Sequence, residues 1–125
     1  MAEETTSPTF RMWLRPDGIV QLVWEPGVPI GVEDCVAAGD TMDALAGGQK
    51  HPLMADTRAG GPSDRASAHE LIRRDEFVSA IAVIVNTPLR RMLGNLFIAR
   101  SRPTLPLRLF VDEASALAWL AEFAP

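Results

Sequence analysis

A chain of 125 residues, 47% of them apolar, fits one domain with a core of its own and excludes a disordered polymer. Its formal charge of −4 argues against a general binder of nucleic-acid backbones, which needs a clustered basic face. A single cysteine, Cys35, excludes an internal disulfide and any cysteine-rich metal site.

Residues 1–9 carry two acids, several hydroxyls and Pro8. A secretory leader has a basic start and an apolar middle, so this segment is expected to be a disordered tail on a cytoplasmic protein. The single domain then spans residues 10–125. Nowhere does an apolar run approach the ~20 residues of a membrane-spanning helix. The domain should open with a hairpin, Phe10–Leu14 and Ile19–Trp24. Between them Arg15-Pro16-Asp17-Gly18 supplies turn chemistry, proline presetting φ and glycine accepting a positive one.

A helix follows from about Val32 to Ala46. Val32, Cys35, Val36, Gly39, Met42, Leu45 and Ala46 form one stripe at helical spacing, while Glu33, Asp34, Asp40 and Asp43 face away. Gly47-Gly48 stops it, and Cys35 on the stripe is expected to be core filler. The run Pro52–Asp56 is a buried strand. An irregular loop, Thr57–Pro62, leads to a second helix from Ser63 or Ser67 to about Glu76; Ser67 with Glu70 is a capping box. A second buried strand, Ala80–Val85, ends at Asn86.

Thr87-Pro88 supplies an N-cap hydroxyl and a proline at the first helical position. That third helix is expected to bury Leu89, Met92, Leu93, Leu96 and Phe97 and to expose Arg90, Arg91 and Asn95. A strand Leu107–Val111 and a helix from Asp112 or Glu113, carrying Leu117, Trp119, Leu120 and Phe123, complete the chain. Buried strands alternating with helices read as a parallel α/β sheet.

The hairpin through Asp17-Gly18, the run Pro52-Leu53-Met54-Ala55-Asp56, the Asn86-Thr87-Pro88 junction and Phe110-Val111-Asp112-Glu113 followed by Ala118-Trp119-Leu120 together carry a family likeness. In this order they resemble the STAS and anti-sigma-factor-antagonist proteins, whose fold is shared with the CRAL-TRIO lipid carriers. The resemblance implies a mixed sheet, an N-terminal hairpin then three mostly parallel strands, with about four helices packed mainly on one face. In phospho-regulated members, a kinase partner phosphorylates a serine at the start of the helix after the strand that matches Pro52–Asp56. Ser63 is the nearest counterpart; where those proteins have Asp-Ser-Ser-Gly, this chain reads Gly60-Gly61-Pro62-Ser63-Asp64.

Ligands of open α/β sheets sit outside the carboxyl ends of the strands. There the loop after Pro52–Asp56 offers a carboxylate (Asp56), hydroxyls (Thr57, Ser63) and cations (Arg58, Arg65), with Thr87 at the same sheet edge. These six residues are the candidate binding site for an anion or a protein partner, against a purely structural role as turn and cap residues. His51 and His69 have no second ligand at helical spacing, and no nucleophile elbow or phosphate-binding glycine motif is present. Neither a metal nor a cofactor is therefore expected. Arg73, Arg74, Arg90 and Arg91 are either solvated faces or a patch for an acidic partner.

These features imply a non-catalytic regulatory or protein-binding module. The alternative is a carrier of an apolar, lipid-like ligand, with a pocket between the sheet and the Thr87–Arg102 helix. The opening hairpin leaves a sheet edge that homodimer pairing would cover.

Overall fold

Six strands lie side by side in the order in which the chain makes them. The structure is a computed structural model that describes residues 4–6, 9–59, 78–101 and 105–125. Strands β1 (Glu4–Thr6), β2 (Phe10–Leu14) and β3 (Val20–Trp24) are antiparallel neighbours. From β3 onward β4 (His51–Asp56), β5 (Val78–Ile84) and β6 (Leu107–Phe110) are all parallel. Three helices accompany them among the described residues: α1 (Val32–Ala46), α2 (Pro88–Ser101) and α3 (Glu113–Leu120), the last running on into a short 3-10 turn, Ala121–Phe123.

The expected hairpin forms for the expected reason. Gly18 takes φ +85°, its N–H donates to the Arg15 carbonyl at 3.0 Å, and the Asp17 carboxylate accepts from the Ile19 N–H at 3.2 Å. Pro52 sits inside central strand β4, where it gives the ladder no donor, and the β4–β5 register shifts beside it, between His51 and Leu53. One row of side chains crosses the parallel part of the sheet: Val20 opposite Leu53, Leu53 opposite Ile81, Ile81 opposite Leu107.

Side chains alternate between two faces, and both are buried. On the first, Phe10, Met12, Val20, Leu22, Trp24, Leu53, Ala55 and Ile81 meet Cys35, Ala38 and Met42 of α1. On the second, Met54, Ala80, Ala82, Ile84 and Phe110 meet Ala116 and Leu120 of α3, with Trp119 stacked at an angle on Phe110 and Phe123. Helices were expected mainly on one face; among the described residues α1 packs on the first face, α2 beside β6 and α3 on the second. About four helices were expected and three are found among the described residues; the expected helix from Ser63 or Ser67 to about Glu76 lies outside them.

Three further expectations change. Residues 4–6, expected within a disordered tail, form β1, with Thr5 opposite Met12 and Thr6 opposite Arg11. The β-branched threonines suit the extended backbone. The hairpin edge is thereby already covered, and the argument that a homodimer would cover it falls. On α1 the buried stripe is rotated slightly, so that Ala38 goes in and Val32 stays 40% exposed. Its ends are as expected, the Asp34 carboxylate accepting from the Gly31 N–H at 2.8 Å and Gly47 closing it at φ +61°.

The largest correction concerns α2. Leu89, Met92, Leu93, Leu96 and Phe97, expected in the core, are 50–60% exposed. The helix meets β6 instead through Gly94 and Asn95. A Cβ at Gly94 would overlap the Leu109 side chain, so glycine sets how closely helix and strand approach. The Asn95 amide, expected to be exposed, clamps the outer edge of β6: its Oδ1 accepts from the Leu109 N–H at 2.8 Å and its Nδ2 donates to the Leu109 carbonyl at 3.2 Å. This occupies backbone groups that an edge strand would otherwise offer to another chain.

Candidate functional site

Because β3 to β6 are parallel, their carboxyl ends share one edge of the sheet, and the loops that leave them gather there. The turn after β3 and the loop after β4 are joined directly, the Gly27 N–H donating to the Ala59 carbonyl at 2.8 Å. Thr57 ties β4 to β5, both its N–H (3.1 Å) and its hydroxyl (2.8 Å) donating to the Ile84 carbonyl. Thr87 caps α2, its Oγ1 accepting from the Arg90 N–H at 3.1 Å. Both hydroxyls are thus engaged in building the edge.

Asp56 and Arg58 are the charged pair on this scaffold. One carboxylate oxygen accepts from the Arg58 backbone N–H and Nε, each at 3.0 Å, and the other from an Arg58 Nη at 2.7 Å. This two-pronged contact holds both side chains in one geometry. Burial is the largest single influence on Asp56 and opposes its ionisation. The Arg58 hydrogen bonds and charge together outweigh it and hold the carboxyl below its ordinary value of 3.8. Arg58 is in turn held in its charged form, first by the Asp56 hydrogen bond and then by the fields of Asp56, Glu113 and Asp112. Its side chain is 41% exposed, so part of the guanidinium is open to a partner.

Sequence reasoning placed Asp56, Thr57, Arg58 and Thr87 at one sheet edge, and the structure brings them there; Ser63 and Arg65 lie outside the described residues. It read a helix from Asp112 or Glu113 but did not count that helix start among the site residues. Asp112, the N-cap of α3, accepts from the Ser115 N–H at 2.7 Å, which with the Ser115 hydroxyl keeps its carboxyl below the ordinary range. Glu113 accepts from Gln21 Nε2 at 3.0 Å, and Gln21 Oε1 accepts from Arg15 at 2.9 Å. The signal was present in Asp112-Glu113-Ala114-Ser115, a capping sequence at the end of a buried strand.

His51, weighed as a ligand, is buried with Nδ1 donating to the Gly18 carbonyl at 2.8 Å, which pins the hairpin turn. Among the described residues no cluster of three His, Cys, Asp or Glu could hold a metal ion. Cys35 is buried on α1, as expected. The space between α2 and the sheet is an open cleft lined by Arg91, Met92, Asn95, Arg108, Leu109 and Phe110, and two arginines in that wall do not suit an apolar cargo. Among the described residues no helix is long and apolar enough to cross a membrane.

This mixed sheet, an antiparallel hairpin followed by three parallel strands, matches the SpoIIAA-like, or STAS-like, fold of a solved structure. The similarity is direct with an uncharacterised protein of the DUF3478 family from Shewanella loihica PV-4, described as having a SpoIIAA-like fold. The TM-score is 0.58 at 15% identity, over 96% of this chain and 92% of that one. The chain itself belongs to a family described as a domain of unknown function, DUF7793, matched over residues 12–124. A protein of unknown function from Arthrobacter sp. FB24 is 28% identical over 89% of this chain and 92% of that one, with a TM-score of 0.35. No curated protein matches the chain.

Proposed function

We propose that this protein is a non-catalytic binding module of the regulatory, STAS-like kind, and that it meets a protein partner with the carboxyl edge of its sheet. The observation that carries this reading is the Asp56–Arg58 clasp, a preformed charged feature with an exposed guanidinium at the edge where such sheets bind. A carboxylate kept ionised by a bound arginine is a poor general acid, and the neighbouring hydroxyls of Thr57 and Thr87 are spent on backbone contacts. Recognition, for which a fixed ion pair and rigid loops are suited, asks nothing more of these groups. The proposed surface continues along the loop to Ser63 and Arg65, with Ser63 as the phosphorylation site that the resemblance implies.

Tagged wild-type protein and its Arg58→Glu variant, purified gently from the native cells and weighed intact, test this. The expected result is a stoichiometric partner held by wild type and released by Arg58→Glu with the melting temperature lowered by only a few degrees, and one phosphate on Ser63 in part of the wild-type population. Equal recovery of the same partner by both proteins would remove the edge from the interface, and a substrate turned over by the bare chain would overturn the non-catalytic reading.

A further inference from the structure

Helix α2 presents its apolar side to solvent. Gly94 and Asn95 face β6, and on a helix of 100° per residue Leu89, Met92, Leu93 and Leu96 project from the opposite side, with Phe97 on the flank. Five large apolar side chains that are half exposed or more, contiguous on one helix, form a patch of the kind that marks an interaction surface. The chemistry of what covers it follows from charge. Arg90, Arg91 and Arg100 lie on the helix, which has no acidic residue. The bias extends well beyond it: residues 77–111 contain five arginines and no Asp or Glu, whereas all sixteen acids lie elsewhere. A net-negative protein thus has one strongly positive segment, and its exposed apolar helix lies inside that segment.

A second copy docked helix to helix would set two arginine-bearing, acid-free helices against each other, and like charges oppose that contact. The occupant is therefore anionic and apolar together. Among the described residues the surface is the outer side of a helix, a ridge, whereas peptide partners are gripped in grooves. A ridge of leucines with Arg90 on its flank and Arg100 at its end suits a flat, fluid surface into which it sinks by a few ångströms.

We propose that α2 docks the protein on the surface of a bilayer containing anionic phospholipid. Leu89, Met92, Leu93, Leu96 and Phe97 enter the upper acyl region, and Arg90 on the flank and Arg100 at the end of the ridge meet the headgroup phosphates, their methylene stems lying along the apolar boundary. Arg91 and Arg108, on the walls of the cleft beside Met92, add positive charge next to the helix. None of the side chains that enter the bilayer belongs to the Asp56–Arg58 clasp, so loss of vesicle binding in Leu93→Glu with Leu96→Glu is read independently of partner release by Arg58→Glu.

The test is co-sedimentation of the full chain with vesicles of phosphatidylcholine alone and of phosphatidylcholine mixed with phosphatidylglycerol. Wild type is expected to bind the mixed vesicles, to ignore the neutral ones and to be released by salt. Arg90→Glu with Arg100→Glu should weaken partitioning by roughly thirtyfold or more, at about fivefold per charge removed or reversed. Leu93→Glu with Leu96→Glu should abolish it, and melting curves that match wild type show that both variants are folded. Failure of wild type to bind mixed vesicles, or equal binding to both kinds, overturns the proposal. So does a dimer in light scattering that Leu93→Glu dissolves, which would assign the face to a second copy, or capture by an acidic amphipathic peptide without vesicle binding, which would assign it to a protein.

Discussion

Helices α1 and α2 have nearly the same length, lie on the same face of the sheet and show the same helical spacing of apolar residues, yet they use those residues in opposite ways. On α1, Cys35, Ala38 and Met42 go into the core, within 2% of complete burial. On α2 the apolar residues go out, and among the described residues Gly94 and the Asn95 amide seat the helix on β6. The difference lies in what each helix has beneath it. Helix α1 lies over β2 and β3, whose inward side chains receive a whole apolar stripe. Helix α2 meets β6, a four-residue edge strand whose outward backbone groups need polar partners before they need apolar cover.

The contrast can be broken first at α1. Met42→Ala should cost about 2–5 kcal/mol, because the vacated volume lies between α1 and a sheet that cannot close around it, and urea melts measure this directly. At the α2 end, Asn95→Ala should cost about 1–2 kcal/mol by leaving the Leu109 N–H and carbonyl without their clamp. A value near zero there would mean that Gly94 alone seats the helix.

Smaller is the effect of the Asp56–Arg58 clasp. The Asp56 carboxyl titrates lower in the folded chain than at its ordinary 3.8, so the stabilisation is present above that pH and is lost as pH falls through the folded value. With Arg58 41% exposed, solvent limits it to about 0.5–1 kcal/mol. Arg58→Ala should therefore narrow the stability gap between pH 6 and pH 3 by that amount. Leu93→Glu should change stability least, by no more than about 0.5 kcal/mol, since its site is already in solvent.

The same comparison shows how far the sequence could be read. The hairpin turn, the buried strands and both ends of α1 were legible, because Asp17-Gly18, Ile81–Ile84 and Gly47 state their structure locally. The orientation of α2 was not, since a 3.6-residue period is identical whether the apolar stripe meets a sheet or something outside the chain. Nor does local sequence say which face of the sheet a helix will take, and α3 takes the one opposite α1. Strand β1 escaped notice because a three-residue strand has too little alternation to stand out from a polar tail. Of the candidate site, Asp56 and Arg58 were legible as charged residues after a buried strand. Their pairing spans two residues and the Thr87 cap three, both within reach of local reading, whereas the bond from Thr57 to the Ile84 carbonyl depends on a strand far along the chain.

The opposite orientation of the two helices is tested most directly by thiol labelling of the native Leu93→Cys variant. The chain has one natural thiol, at Cys35 on α1, which serves as an internal reference. The account predicts that the introduced thiol is modified rapidly in folded protein while Cys35 reacts only after denaturant is added. Equal protection of both thiols would place the apolar stripe of α2 in the core and contradict the account.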